Sequence, residues 1–374
     1  MRRTLLITND FPPRTGGIQS YVIALAHRLP SDALTVLAPR YPGDAEFDAR
    51  QPFPVFRHSD PVLLPGGSVR RRAAELVREH RVQALWFGAA APLGLLAPRL
   101  RAEGVVRTVA STHGHEVGWA MLPGARGALR RIGRGNDVIT YVSEFARRRT
   151  SAALGPQAAL EYLPPGVVTD RFQPDPAAAR AVRDRYGLAD RPVIVCVSRL
   201  VPRKGQDVLL RALPAIADLV PDVRLLIVGD GPDADRLRRL ARHHDVQDRV
   251  VFAGMVPAAE LPAHYVAGDV FAMPCRTRGA GLDVEGLGIV FLEASACGLP
   301  VLAGNSGGAP ETVLPGRTGV VVDGRRCAEV AREVAALLTD PQRRARWGTA
   351  GRDWVRQAWN WDRSAERLAE LLTG

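Results

Sequence analysis

The feature that most constrains the fold is a regular alternation of short apolar runs with amphipathic segments of helical length. In the first half of the chain, strands are predicted over residues 4–8, 34–38, 84–87, 107–112 and 138–142. Helices are predicted between them, for example over residues 18–29, 69–80 and 144–153. This alternation is typical of parallel α/β sheets.

The alternation stops and then starts again in the second half. Strands are predicted there over residues 193–197, 224–228, 250–253, 270–273, 300–303 and 319–322, with helices over 206–219, 235–244 and a final block of 341–372. Between the halves, 163-LPPGVVTDRFQPDP-176 is rich in Pro and Gly and has no apolar period, which indicates a linker. A chain of 374 residues is long for one core, so two domains are expected.

The charge is unevenly distributed. The net charge is +11; residues 1–165 contain 22 basic and 13 acidic residues, and residues 166–374 contain 28 and 26. Arginine clusters in the first half comprise Arg70/Arg71/Arg72, Arg126/Arg130/Arg131/Arg134 and Arg147/Arg148/Arg149. A patch of this kind can face nucleic acid, an anionic membrane or an acidic substrate, and solvated surface arginines are the simpler alternative.

Other compositional features restrict the class of protein. No apolar run is long enough to span a bilayer, and the N-terminus lacks the pattern of a secretory signal. Four scattered cysteines in apolar surroundings indicate reduced thiols in a cytosolic protein, and the paired spacing of a zinc site is absent.

Two motifs in the first half follow predicted strands. In 9-NDFPPRTGGIQSY-21, Gly16 and Gly17 precede a helix, where backbone amides can bind an anion; an ordinary β–α turn is the alternative. The spacing is not that of a dinucleotide fingerprint. In 110-ASTHGHEVGW-119, His113 and His115 stand where a parallel sheet presents side chains to a ligand, although a structural role is equally compatible with them.

The segment 198-SRLVPRKGQDVLL-210 combines Arg199, Arg203 and Lys204 with the start of a helix, an arrangement suited to a diphosphate. Lys204 is the only lysine in the chain, which suggests that a compact ammonium is required there; a charged surface loop is the alternative. Farther along, Asp233 and Asp235 resemble a metal-binding D-x-D, but their place before a helix favours N-capping.

Two glutamates occupy one of the most apolar passages, 283-DVEGLGIVFLEASACGLPVLAG-304. Glu285 is predicted in a glycine-rich loop and Glu293 one turn inside the following helix. Each carboxylate can accept hydrogen bonds from hydroxyls, while free amides between them can face an anion. A ligand with hydroxyls at both ends and phosphates in the middle, such as a nucleotide sugar, fits this pattern; a buried ion pair is the alternative.

These residues resemble a known family. EGLGIVFLEASACGLPV, 307-GGAPETV-313, SRLVPRKG and GDGPDADRL are similar to motifs of the family 4 retaining glycosyltransferases of GT-B fold. NDFPPRTGGIQSY, WFGAAAPLGLLA, STHGHEVGWAMLPGARGALRRIG and RTRGAGLDVEGLGIVFLEA resemble the actinobacterial GDP-mannose-dependent mannosyltransferases. The resemblance implies two Rossmann-like domains facing across a cleft: residues 1–165, with a C-terminal helix of about 355–374 crossing back, and residues 166–354.

The resemblance also implies residue roles. Arg199 and Lys204 would neutralise the diphosphate; Gly16 and Gly17 would lend amides near its β-phosphate; Glu293 would hold the ribose. Glu285 and the amides of Gly286, Leu287 and Gly288 would orient the mannose, and His113 would bind near its C6 hydroxyl. Main-chain atoms near Val256 would contact the base. Arg14, Gln19 and His115 would lie on the acceptor side.

The expected activity is transfer of mannose from GDP-mannose to phosphatidylinositol monomannoside through an α-1,6 linkage. No metal or other cofactor is expected. The arginines of the first domain would hold the enzyme on the inner face of the cell membrane. Alternatives are a transferase with another sugar donor or acceptor, a nucleotide-sugar epimerase, and a pyridoxal phosphate enzyme using Lys204. A nucleic-acid binder has only the charge in its favour.

Overall fold

A computed structural model describes the whole chain, residues 1–374. The chain forms two compact units, one made of Met1–Gly166 together with Trp361–Gly374 and the other of Val167–Asn360. Each unit contains one sheet in which every neighbouring pair of strands is parallel. The predicted parallel α/β class is therefore confirmed.

The first unit has a seven-stranded sheet. Its strands are β1 (Thr4–Ile7), β2 (Leu34–Pro39), β3 (Val55–His58), β4 (Ala84–Phe87), β5 (Arg107–Thr112), β6 (Val138–Tyr141) and β7 (Ala159–Tyr162), in the order β3-β2-β1-β4-β5-β6-β7. Its helices are α1 (Gly17–Ala26), α2 (Asp44–Asp48), α3 (Gly67–Glu79), α4 (Ala97–Arg101), α5 (Glu116–Met121), α6 (Pro123–Gly135) and α7 (Glu144–Leu154).

The sequence pattern predicted the five central strands but not β3 and β7. These two strands form the edges of the sheet. Most of their residues are only partly buried or are exposed, whereas β1 is buried throughout. An edge strand has one hydrogen-bonded neighbour and less covered surface, so its residues carry a weaker apolar signal.

The second unit has a six-stranded sheet. Its strands are β8 (Val193–Val197), β9 (Arg224–Val228), β10 (Val250–Gly254), β11 (Val270–Met273), β12 (Val301–Gly304) and β13 (Gly319–Val322), in the order β10-β9-β8-β11-β12-β13. Its helices are α8 (Pro176–Arg185), α9 (Gln206–Leu219), α10 (Ala234–His243), α11 (Leu261–Val266), α12 (Ile289–Ala296), α13 (Cys327–Leu338) and α14 (Pro341–Ala358). All six predicted strands of this half are confirmed to within one residue.

The segment between β7 and α8 contains no helix or strand. At its end, the Asp175 carboxylate accepts hydrogen bonds from the amides of Ala177 and Ala178 and caps α8. The predicted final helical block is broken after Ala358, and α15 (Trp361–Thr373) belongs to the first unit. There the Arg107 side chain donates to the carbonyl of Leu371 at 2.8 Å. No helix combines the length and apolarity that crossing a membrane requires.

The strand order reverses once in each sheet, between β1 and β4 and between β8 and β11. At such a reversal, the loops that leave the carboxyl ends of the two strands turn to opposite sides and open a crevice between them. Arg199, Lys204 and Glu285 lie on the loops after β8 and β11 in the second unit, and Gly16 and His113 follow β1 and β5 in the first.

Candidate active site

The loop after β8 carries the predicted cations to the start of α9. Arg199 is exposed, and its carbonyl accepts a hydrogen bond from the Gln206 side chain at 3.2 Å. Gly205 adopts a left-handed conformation (φ 84°) directly before α9, and a Cβ there would overlap the carbonyl oxygen of Pro274. Only glycine allows this turn, so the loop approaches the segment after β11 closely.

Lys204 and Glu285 form an ion pair at the point where the strand order reverses. Lys204 Nζ lies 2.7 Å from Glu285 Oε2, and the two side chains are only 10% and 8% exposed. Arg203 Nε lies 3.9 Å from the same oxygen, and Arg203 Nη1 lies 3.4 Å from Asp283 Oδ1. Two residues predicted from separate motifs therefore belong to one site, with a second cation beside it.

The backbone of Glu285 is held by the loop after β12. Its amide donates to Ser306 Oγ at 3.3 Å, and its carbonyl accepts from the amide of Gly308 at 3.0 Å. Gly307 has φ 59°, and a Cβ there would overlap the Glu285 carbonyl oxygen. Ser306 and the two glycines were not predicted as functional residues; a double glycine three residues after the end of β12 was the available signal.

Gly286, Leu287 and Gly288 link Glu285 to the first turn of α12. Leu287 is buried, and Gly288 has φ 87° at the N-cap position. Helix N-terminal amides carry partial positive charge, so the segment joins a buried carboxylate to donors suited to an anion. Loop and helix are arranged as predicted.

Glu293 lies one turn inside α12 and is anchored by a different helix. Its Oε2 accepts a hydrogen bond from the Tyr265 hydroxyl at 2.7 Å. Burial raises the pKa of Glu293, although the Tyr265 hydrogen bond opposes this shift. Tyr265 was not predicted, because nothing in its sequence context distinguishes it from a core aromatic residue. Val256 follows β10, which β9 separates from β8 in the sheet.

In the first unit, the glycine pair lies at the start of α1. Gly16 and Gly17 are exposed, and a Cβ on Gly16 would overlap the side-chain oxygen of Gln19. Gln19 is buried and donates through Nε2 to Asp10 Oδ1 at 2.8 Å. Arg14 is exposed. The side-chain nitrogen of Gln19 is thus already hydrogen-bonded within the loop.

The His113 ring is held in place by a hydrogen bond through one of its nitrogens and by an aromatic contact. Its Nε2 lies 2.7 Å from the carbonyl oxygen of Gly88, and its ring packs edge-on against Tyr21 with centroids 4.9 Å apart. A carbonyl can only accept, so Nε2 carries the proton and Nδ1 has the free lone pair. Burial lowers the pKa of His113, and the attraction of Glu116 only partly opposes this shift.

Glu116 holds the turn that contains His113. Its Oε2 accepts from the amides of His113 at 3.0 Å and Gly114 at 3.2 Å, and its side chain is fully buried. His115 is exposed, with Nε2 3.2 Å from Glu116 Oε1. Nowhere in the chain do three or more His, Cys, Asp or Glu side chains meet in a group that could hold a metal ion.

The interpretation of Asp233 as an N-capping side chain is wrong. Asp233 occupies the N-cap position of α10, but its carboxylate makes no capping hydrogen bond. Both of its oxygens instead accept from the Arg236 guanidinium, at 2.6 and 2.7 Å. A two-pronged charged interaction is stronger than one hydrogen bond to a backbone amide, and Arg236 lies within reach.

Comparisons with known proteins show the fold and the family. Residues 15–171 match the family model described as Glycosyltransferase Family 4, and residues 180–354 match the one described as Glycosyl transferases group 1. The Anabaena protein HepE, solved in complex with UDP, superposes with a TM-score of 0.85 at 21% identity over 99% of both chains. Two parallel-sheet units of this kind define a glycosyltransferase of the GT-B fold.

Full-length relatives specify the family further. A GDP-mannose-dependent alpha-(1-6)-phosphatidylinositol monomannoside mannosyltransferase of Mycolicibacterium smegmatis is 59% identical over 99% of this chain and 98% of its own. The Corynebacterium glutamicum protein named for the monoacylated acceptor is 47% identical over 99% and 98%. The chain therefore belongs to the family of these mannosyltransferases.

Proposed function

We propose that the protein transfers mannose from GDP-mannose to phosphatidylinositol monomannoside, forming an α-1,6 linkage with retention at the sugar. The observation that carries the proposal is 59% identity, over essentially the whole of both chains, to a protein of that name. The reaction needs stabilised negative charge on the departing GDP and a means of orienting mannose.

The second unit would bind the donor. Arg199 and Lys204 would neutralise the diphosphate in place of a metal ion, and Glu293 would accept hydrogen bonds from the ribose. Glu285 would orient the mannose hydroxyls together with the amides of Gly286, Leu287 and Gly288. Backbone atoms near Val256 would contact the base. The 2.7 Å contact between Lys204 and Glu285 supports this assignment, because it places a cation beside a sugar-binding carboxylate.

The first unit carries the remaining residues of the proposal. Gly16 and Gly17 would offer amides near the β-phosphate, and the Nδ1 atom of His113, which Gly88 leaves free, would accept a hydrogen bond from the C6 hydroxyl of mannose. Arg14 and His115, which are exposed, would lie toward the acceptor, with Gln19 holding the loop of Arg14.

The chemistry follows from charge. As the bond between mannose and GDP breaks, positive charge develops on the sugar ring and negative charge on the diphosphate. Fixed cations and amides stabilise the leaving group more strongly in the transition state than in the ground state. The acceptor hydroxyl would attack from the leaving-group face and give its proton to a phosphate oxygen, so no protein nucleophile is required.

The surface around α6 would hold the enzyme on an anionic membrane at the inner face of the cell membrane. The four arginines of α6 are exposed and form no ion pair, and the helix contains no acidic residue. Met121 and Leu122, just before them, are 38% and 52% exposed. Basic side chains beside exposed apolar ones suit the headgroup region of an anionic leaflet.

The function is tested by transfer of labelled mannose from GDP-mannose, without added metal, to purified phosphatidylinositol monomannoside. Phosphatidylinositol and a lipid-free sample run alongside, with Glu285→Gln as the control protein. We expect product with the monomannoside and a loss of about 100-fold in the variant. Product with phosphatidylinositol instead would change the assigned acceptor. Absence of product despite GDP-mannose binding would overturn the proposed transfer to phosphatidylinositol monomannoside.

The membrane surface is tested with vesicles that contain anionic phospholipid. Arg126→Gln/Arg130→Gln should weaken vesicle binding, with a loss of about 1 kcal/mol for each arginine near the surface. Arg72→Gln is the matched control, because Arg72 already pairs with Glu75 at 3.0 Å. High salt should weaken vesicle binding strongly and GDP binding modestly. Equal salt sensitivity of both, or equal effects of the two variants, would contradict this surface.

A further inference from the structure

A buried ion pair next to the candidate site has no part in the proposed reaction. Arg276 Nη1 and Nη2 lie 2.8 and 2.9 Å from the two carboxylate oxygens of Asp207. Asp207 is 3% exposed in the first turn of α9, and Arg276 follows β11. Burial alone raises the pKa of Asp207, but the hydrogen bonds and charge of Arg276, together with the charges of Arg211 and Arg236, outweigh it and lower the pKa. Asp207 is therefore an anion at neutral pH.

The same arginine is also attached to the cation loop through its backbone. The amide of Arg276 donates to the carbonyl of Arg203 at 2.8 Å. One residue before Arg276 in the chain lies Cys275, preceded by Pro274, whose carbonyl occupies the space above Gly205. The segment 274–276 thus contacts the segment 203–207 at three places, and Lys204 lies between the contacts at Arg203 and Gly205.

The contacts continue to the glutamate of the site. Thr277 Oγ1 lies 3.1 Å from Ser306 Oγ, and Ser306 Oγ accepts the hydrogen bond from the Glu285 amide. Arg276 and its neighbour therefore connect the loop that carries Lys204 with the loop that carries Glu285. A cation stabilises developing charge efficiently only when its position is fixed before the reaction.

We propose that Arg276, through its two-pronged bond to Asp207, is a positioning residue that fixes the Arg203–Lys204 loop for the donor diphosphate. The inference rests on the proposed donor, and it concerns the phosphates rather than the base or the sugar. Without the Arg276 side chain the loop keeps its cations and its two backbone contacts with the segment after β11, but it loses the charged attachment at Asp207. Affinity for the diphosphate should then fall while affinity for the nucleoside remains.

The structure offers a matched control. Arg211 also pairs with Asp207, but it lies on the same helix, α9, and no hydrogen bond or ion pair joins its side chain to the segment 203–205. A role limited to neutralising Asp207 would make Arg276→Gln and Arg211→Gln behave alike. A positioning role requires that Arg276→Gln and Asp207→Asn weaken binding of the diphosphate to a similar degree, and that Arg211→Gln does not.

The experiment is calorimetric titration of the full chain with GDP and with guanosine. In Arg276→Gln we expect GDP affinity to fall about tenfold and guanosine affinity to change less than about twofold. Arg211→Gln should leave both unchanged, and Arg276→Lys, which keeps the charge without the fork, should fall between. If Arg276→Gln does not fold, as judged by circular dichroism, Asp207→Asn gives the same comparison with one acceptor oxygen retained.

Two outcomes would overturn the proposal. One is an equal loss of GDP and guanosine affinity in Arg276→Gln, which would indicate general damage to the unit. The other is an unchanged GDP affinity. Failure of the wild-type protein to bind GDP would instead count against the proposed donor, and the same ratio would then be measured with UDP and uridine, because the positioning argument concerns the diphosphate.

Discussion

Lys204 Nζ and Glu285 Oε2 lie 2.7 Å apart, with both side chains almost completely buried. The lysine follows β8 and the glutamate follows β11, so the pair bridges two loops that meet only because these strands are neighbours. Removing two charges from water is costly, and their mutual attraction offsets this cost only while both partners are present.

This dependence predicts strong coupling between the two residues. Lys204→Met leaves the Glu285 carboxylate buried without its partner and should destabilise the protein by about 3–5 kcal/mol. Adding Glu285→Gln to that variant should restore part of the loss, because the unpaired charge is removed. The measurement is urea unfolding of both single variants and the double variant. Losses that add to within about 0.5 kcal/mol would show that the pair is not coupled.

We predict that only glycine at position 307 allows the loop after β12 to pack against the backbone of Glu285. Gly307→Ala places a methyl group in a left-handed conformation and also against the Glu285 carbonyl, so the loop must move. Gly316→Ala is the control, because Gly316 also has positive φ but open space around it. We expect a loss of about 1 kcal/mol in the control and at least about 1 kcal/mol more in Gly307→Ala, measured by thermal unfolding.

Activity should separate the same two glycine variants. Mannosyl transfer should fall at least about tenfold in Gly307→Ala, because moving the Glu285 carboxylate by about 1 Å is enough to lower the rate strongly. Transfer by Gly316→Ala should match the wild type at a temperature where both are folded. A Gly307→Ala protein with normal transfer would show that the Glu285 backbone tolerates movement.

His113 predicts a dependence of stability on pH. The pKa of His113 is lowered in the folded state. Below about pH 6.5, His113 therefore binds a proton in the unfolded chain more readily than in the folded protein. This contribution to stability is complete above the unfolded pKa and is lost as pH falls, by at most about 1.4 kcal/mol per pH unit. His113→Gln can still donate to Gly88 but does not titrate in this range. The variant should therefore lose less stability than the wild type between pH 7 and 5.5 in urea unfolding.

A matching pH dependence in the two proteins would contradict this expectation for His113. The groups that act on its ring are Glu116, Asp10 and His115, all of which remain in the variant. The difference between the two proteins therefore isolates His113 from the other histidines.

Glu293 predicts a dependence of donor binding on pH. Its pKa is raised by burial, and the ionised form accepts hydrogen bonds from hydroxyls more strongly than the protonated form, so GDP affinity should weaken as pH falls toward that pKa. The Tyr265 hydroxyl favours the ionised form, so Tyr265→Phe should raise the pKa further and move the weakening to higher pH. Glu293→Gln should bind more weakly at neutral pH without this dependence. Calorimetry with GDP between pH 5 and 8 measures the affinity of the wild type and of both variants. Coincident pH profiles for wild type and Tyr265→Phe would refute the role of Glu293 ionisation.

Local pattern was sufficient for much of the fold and for the identity of several site residues. The central strands and α9 follow from apolar runs and amphipathic spacing, because buried parallel strands and one-sided helices leave that signal in consecutive residues. The edge strands β3 and β7 leave little of it, since they are covered less. The single lysine and the two glutamates in an apolar passage stand out by composition alone.

Which side chains meet was decided by the tertiary structure. The sequence determined that Lys204 follows one strand and Glu285 another, but their contact depends on β8 and β11 being neighbours, an order that spacing along the chain does not encode. In the same way, Asp233 binds Arg236 rather than capping its helix, and Tyr265, Gly307 and Arg276 gain their roles from segments distant in sequence. Local propensity acts over one turn or one strand, whereas the partner of a buried polar group is chosen by whichever loops the sheet brings together.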